Sequence, residues 1–95
     1  MRIGIIRVYF QIPDSHSLKD KRRVVKSIKD RLMNEFNVSV AEIGEDLDKL
    51  QVGEIGIVSV SNEKPHLERR LQKVIDYIEE QGDGLVVLEV AQEIL

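Results

Sequence analysis

The chain contains no cysteine and no tryptophan, has only two prolines, and its aromatic residues are limited to Tyr9, Phe10, Phe36 and Tyr77. Without cysteine there is no disulfide framework, no thiolate metal site and no thiol redox chemistry, so stability has to come from packing. The scarcity of rings removes the stacking platform on which sheet-type RNA readers lay bases, and the segment Glu54-Ile55-Gly56-Ile57-Val58 carries none at all. Long apolar runs are also missing. Beyond the N-terminal strand the longest is Leu85 to Leu88, against about 20 residues for a bilayer-spanning helix. Met1 to Ile12 is interrupted by Arg7 and lacks a small-residue cleavage site, so it reads as a strand, and the expected setting is cytoplasmic with no membrane partner. Glycine-rich phosphate loops, nucleophile elbows and zinc-type spacings are absent, which leaves the expectation of a non-enzyme without catalytic residues, metal or cofactor.

What is present is a chain of 95 residues, 42% hydrophobic and 33% charged. That balance is too apolar for a disordered tail, and the length suits a single domain spanning residues 1–95.

Apolar residues at Ile6, Val8, Phe10 and Ile12 alternate along a first strand, broken by Pro13-Asp14-Ser15. Ser17 followed by Asp20 forms a capping box for a helix ending near Glu35, whose stripe is Leu18, Val25, Ile28 and Leu32, widened by Val24. Phe36, Val38 and Val40 start a second strand. Gly44 to Lys49 is a turn, and Val52 to Val60 a third strand in which Gly53 and Gly56 suggest a bulge or twist. Asn62 caps a second helix with Pro65 in its first turn and Leu67, Leu71, Val74, Ile75 and Ile78 as its stripe, ended by Gly82 or Gly84. Leu85 to Ala91 is the last strand, with Val86, Leu88 and Val90 directed toward the helices.

This β-α-β-β-α-β order predicts an α+β, ferredoxin-like fold: a four-stranded antiparallel sheet with two helices on one face. Right-handed crossovers are read as making the first and third strands central, parallel neighbours. The other sheet face stays open, and Ile3, Ile5 and Tyr9 on it are a candidate protein interface, for instance of a homodimer.

Charge is unevenly distributed. From Leu18 to Leu32 seven basic residues face two acidic ones, a segment charge of +5, whereas the whole chain is −3 and the remainder therefore −8. On a helical wheel Lys19, Arg22, Arg23, Lys26 and Lys29 gather opposite the apolar stripe. Closely spaced cations recognise a phosphate backbone by displacing counterions, so the ridge is a candidate nucleic-acid surface. The alternative is a solvated face paired with acidic loops or a second subunit. With parallel first and third strands, His16 and His66 become neighbours, and with Ser15, Ser17 and Asn62 at two helix N-termini they form a candidate site for phosphate or carboxylate. Glu42, Glu45, Asp46 and Asp48 match no calcium-loop spacing and read as a solvated turn.

Ser17-Leu18-Lys19-Asp20-Lys21-Arg22-Arg23-Val24-Val25 and Phe36-Asn37-Val38-Ser39-Val40-Ala41-Glu42 resemble the YlxP-like family of small bacterial proteins. The resemblance implies a ferredoxin-like fold without supplying an activity. Because family genes often lie near those for translation initiation and ribosome maturation, it also implies ribosomal RNA or a ribosome-associated protein as partner. Relatives commonly carry a tryptophan in the hairpin, where this chain has Asp46-Leu47-Asp48-Lys49. Lys21 falls beside Leu18 and Val25 on the apolar side of the wheel, a position from which a lysine is expected to snorkel past the sheet edge.

Overall fold

A computed structural model describes residues 1–81 and 84–95. The elements run β1 (Arg2–Gln11), α1 (Leu18–Glu35), β2 (Ser39–Ile43), β3 (Val52–Ser61), α2 (Lys64–Gln81) and β4 (Val86–Ile94). The strands form one sheet in the order β2-β3-β1-β4, and each adjacent pair is antiparallel. Both helices cover the same face, with α2 packed across β1, β3 and β4 and α1 against β2. This is the α+β, ferredoxin-like arrangement expected of the element order.

The parallel pairing expected of the first and third strands is overturned. β1 and β3 are central neighbours, but they run antiparallel, pairing Arg2 with Ser61 and Gln11 with Val52. Each crossover skips a strand: α1 carries the chain from β1 over the position later filled by β3, and α2 carries it from β3 past β1 to β4. The parallel relation therefore holds between strands that do not touch.

Period-2 alternation in β1 places Ile6, Val8 and Phe10 on the helix side, where they join Ile55 and Ile57 of β3. Val25, Ile28 and Leu32 of α1 and Leu67, Leu71, Val74 and Ile78 of α2 close over them, all buried. Phe36 lies just before β2 and stacks edge-on to Tyr77 of α2, with ring centroids 5.6 Å apart at 84°. Strand pairing begins only at Ser39, three residues after this aromatic contact.

The bulge expected in β3 sits in β4 instead. The β1–β3 register is unbroken, whereas the β1–β4 register shifts between Tyr9 and Phe10, so that Tyr9 faces Glu89 and Phe10 faces Val87. The shift passes over Leu88 and reverses the facing of the strand. Val87 and Val90 pack on the core, and Val86 and Leu88 are exposed, contrary to the simple alternation. Gly53 serves packing: a Cβ there would fall 2.8 Å from Phe10 Cζ and 3.2 Å from Lys21 Cε. Gly84 takes the left-handed φ of 76° in the connection from α2 to β4, and Gly82, the other expected stop, lies outside the described residues.

Candidate nucleic-acid interface

The first helix begins with a well-formed cap. The Asp20 backbone N–H donates to Ser17 Oγ at 3.0 Å, and Asp20 Oδ2 accepts in return from the His16 N–H at 3.1 Å. The expected capping box is present, with its carboxylate returning one residue further out than usual. Asp20 is thereby committed to the cap. The other acid of this stretch, Asp30, takes a 2.7 Å ion pair from Lys26. That hydrogen bond raises the Lys26 pKa above its ordinary value.

On the outward side of α1, Lys19, Arg22, Arg23 and Lys26 are exposed and Lys29 is half-buried. At about 1.5 Å rise per residue the row from Lys19 to Lys29 is ~15 Å long. Arg22, Lys26 and Lys29 also rim a shallow cleft of about 300 Å³ against Glu42 of β2. The helix thus brings the five basic residues of the sequence pattern together on one surface, with Lys26 partly neutralised.

Lys21 behaves differently from every other cation of α1. It does not reach past the sheet edge to water: only 1% of its side chain is exposed. Its stem runs beside Phe10 and Gly53, and Nζ donates to the Asp46 carbonyl at 2.7 Å and approaches the Leu47 carbonyl at 3.5 Å. Glu42 Oε2 lies 3.1 Å from the same nitrogen. That oxygen is buried and has no directed hydrogen bond, so the ammonium charge holds it. Lys21 is the floor clamp of the β2–β3 connection. Around it, Tyr9 Oη donates to Asp46 Oδ2 at 3.0 Å and Lys49 pairs with Asp46 Oδ1 at 3.1 Å. Lys49 and then Tyr9 hold the Asp46 carboxyl below its usual range, and the same contact with Asp46 raises the Tyr9 phenol. Gln51 ties the end of the loop to the Pro13 and Ser15 carbonyls, each at 3.2 Å. The acidic turn read from sequence is therefore partly consumed by internal contacts at Glu42 and Asp46. The wheel position of Lys21 was the signal for this clamp, but its loop partners, far along the chain, were invisible to a helical pattern.

The anion site read from Ser15, His16, Ser17, Asn62 and His66 does not assemble. Because β1 and β3 are antiparallel, the N-termini of α1 and α2 lie at opposite ends of strands ten residues long, a separation of ~30 Å at about 3.3 Å per residue. Ser15 is buried and donates to the Ser17 carbonyl at 3.3 Å, and Ser17 is occupied as a cap. His66 sits 3.2 Å from Glu63. Asn62 does not cap α2: the Leu67 N–H bonds the Glu63 carbonyl, making Glu63 the cap residue, and Ser61 Oγ accepts from the Glu63 N–H. Among the described residues no three His, Asp or Glu side chains are grouped to hold a metal ion, and no helix is long and apolar enough to cross a membrane.

On the open sheet face Ile3, Ile5 and Tyr9 do lie together, half-buried, along β1. Val58 and Val60 of β3 stand beside the two isoleucines and are 41% and 48% exposed.

A four-stranded antiparallel sheet with two helices on one face, in β-α-β-β-α-β order, defines a ferredoxin-like α+β domain. Within that class, the chain belongs to the family described as "Protein of unknown function (DUF503)", whose model matches residues 3–91. It is 42% identical over 77 residues to "Uncharacterized protein YlxP" of Bacillus subtilis (strain 168), covering 81% of this chain and 83% of that protein. Among solved structures it is similar to "De novo designed protein Foldit4", with a TM-score of 0.52 and 16% identity over 98% of this chain and 96% of the other. At that identity the likeness concerns fold alone.

Proposed function

We propose that the protein is a non-enzymatic RNA-binding module whose first helix lies against the phosphate backbone of structured RNA, with ribosomal RNA as the substrate class to test. The observation that carries the reading is the row of exposed cations Lys19, Arg22, Arg23 and Lys26 on α1, where Asp20 is folded into the cap and Asp30 is paired. Such a row neutralises phosphates without reading sequence. The single ring on the open sheet face, Tyr9, is tied to Asp46, so that face offers no stacking surface and the helix is the contact element.

The test is binding to structured ribosomal RNA across a salt series for the wild type, for an α1 variant carrying Arg22→Glu and Arg23→Glu, and for an α2 control carrying Arg69→Glu and Lys73→Glu. With four to five cations engaged, log K should fall with log salt at a slope of about −3 to −4. The α1 variant should lose about tenfold or more in affinity and flatten that slope, and the α2 control should keep both. Weak, salt-insensitive binding that is equal in all three proteins overturns the reading.

A further inference from the structure

The open sheet face carries a pattern that goes beyond the RNA reading and does not depend on it. Cross-strand pairing sets Val60 beside Ile3 and Val58 beside Ile5, an apolar end. Further along, Gly56 stands beside Arg7 and Glu54 beside Tyr9. On the far side of Arg7 the β4 neighbour is Ala91. Arg7 is thus an exposed cation with Gly56 and Ala91 as cross-strand neighbours, Ile43 of β2 leaning over Gly56, and recesses of about 310 Å³ and 200 Å³ on either side of it that are lined also by Glu54 and Glu89 and by Glu93. No described residue gives Arg7 an ion pair or hydrogen bond. Glu54, two residues from Gly56 on the same face, likewise has no ion pair.

We propose that this face is the interface of a symmetric homodimer in which Ile3 and Ile5 of each protomer meet Val60 and Val58 of the other and Arg7 pairs with the other's Glu54. The argument is geometric. Sheets that pack face to face lie about 10 Å apart with strands roughly aligned. A two-fold axis parallel to the strands, midway between β1 and β3, lays β1 of one copy over β3 of the other at the same level along the strand. Every cross-strand pair then repeats across the interface: Ile3 meets Val60, Ile5 meets Val58, Arg7 meets Gly56 and Tyr9 meets Glu54. Apolar side chains fall on apolar ones at the Ile3 and Ile5 levels, and the long arginine reaches past Ile43, whose Cδ1 lies 3.1 Å from where a Gly56 Cβ would stand, to the Glu54 carboxylate. The other in-plane axis, perpendicular to the strands at Arg7, sets the two arginines against each other and Val58 against Glu54. Of these two isologous arrangements, the first is the one that brings opposite charges together, with Arg7 of each copy one pair away from the other's Glu54. It also leaves both α1 ridges on the outside, pointing away from each other.

Sedimentation velocity over a concentration series tests the proposal, with far-UV circular dichroism to verify that each variant is folded. The wild type should form dimers at micromolar concentration, and Val58→Glu should make it monomeric. Arg7→Glu and Glu54→Arg should each weaken the dimer by about tenfold or more, and the double variant R7E/E54R should recover most of that loss, because the charge pair is restored with its sign exchanged. A wild type that is monomeric at about 100 μM overturns the proposal, since interfaces of standard size bind at about micromolar or tighter. So does a dimer that all three single substitutions leave intact, since it would be built on another surface such as the β4 edge. Each of these substitutions lies off α1, so the RNA result stands or falls separately.

Discussion

The two helices have the same length, 18 residues each, and lie on the same side of one sheet, yet the same backbone serves two different ends. α2 carries four basic and four acidic residues, and its buried side chains among the described residues are aliphatic: Leu67, Leu71, Val74 and Ile78. α1 carries seven basic residues against three acidic, and buries a lysine beside Val25, Ile28 and Leu32. Both send one cation to hold backbone at an end of the sheet. From α2 it is Arg70, half-buried, which donates to Ser59 Oγ at 2.8 Å and the Val60 carbonyl at 3.0 Å at the end of β3. From α1 it is Lys21, fully buried, which holds the loop leading into the start of β3. A neutral helix that only packs would need neither the excess charge nor the buried ammonium, and the comparison teaches that α1 combines packing, loop clamping and a charged outer surface.

Substitutions sharpen the contrast, beginning with the largest effect. Leu71→Ala in α2 removes a fully buried side chain from the centre of the core, and a loss of about 3–4 kcal/mol is expected in urea unfolding. The m-value should be unchanged. Lys21→Met keeps the stem in place but leaves the Asp46 carbonyl and Glu42 Oε2 without their cation. Glu42 is 23% exposed and can recover some hydration, so the expected loss is about 2–3 kcal/mol, below that of a fully dry broken pair. Amide exchange should show protection falling over residues 44–51 first, with the α2 core retained. If Lys21→Met unfolds at the wild-type midpoint, the clamp has no energetic weight and the two helices differ only at their surfaces. Arg70→Ala should cost least, about 1 kcal/mol, because its partners are partly solvated and Ser59 Oγ keeps a 2.7 Å hydrogen bond to the Asn37 carbonyl. A loss equal to that of Lys21→Met would erase the distinction between buried and half-buried anchoring.

Local patterns were sufficient for much of the fold. The capping pair Ser17 and Asp20, the stripe Val25, Ile28 and Leu32, and the alternation Ile6, Val8, Phe10 each report a single element, and each stands in the structure as read. Relations between elements were less legible. The parallel reading of β1 and β3 failed because the crossover from β1 ends on β2, which runs parallel to it one strand away, and β3 returns from β2 antiparallel and fills the gap between them. That failure carried the anion site with it, since His16 and His66 were neighbours only in a sheet of that kind. The reading of β4 failed at Leu88, where one bulged residue reverses every side chain beyond it. Glycines in β3 had suggested a bulge there, but Gly53 is needed to admit Phe10 and Lys21 beneath it.

The candidate surfaces divide in the same way. Five cations on one helix face follow from a spacing of about 3.6 residues per turn, so Lys19, Arg22, Arg23, Lys26 and Lys29 could be grouped from the sequence alone. Ile3, Ile5 and Tyr9 could be placed on one strand face by their period of two. Nothing in a one-dimensional pattern set Gly56 beside Arg7, turned Lys21 inward onto a loop some 25 residues away, or placed the two helix N-termini at opposite ends of the sheet. Periodicity within a helix or strand is a property of the backbone itself and survives in the sequence. Register and the partner of a buried charge arise from the joint packing of segments distant along the chain, and the tertiary structure alone decides them.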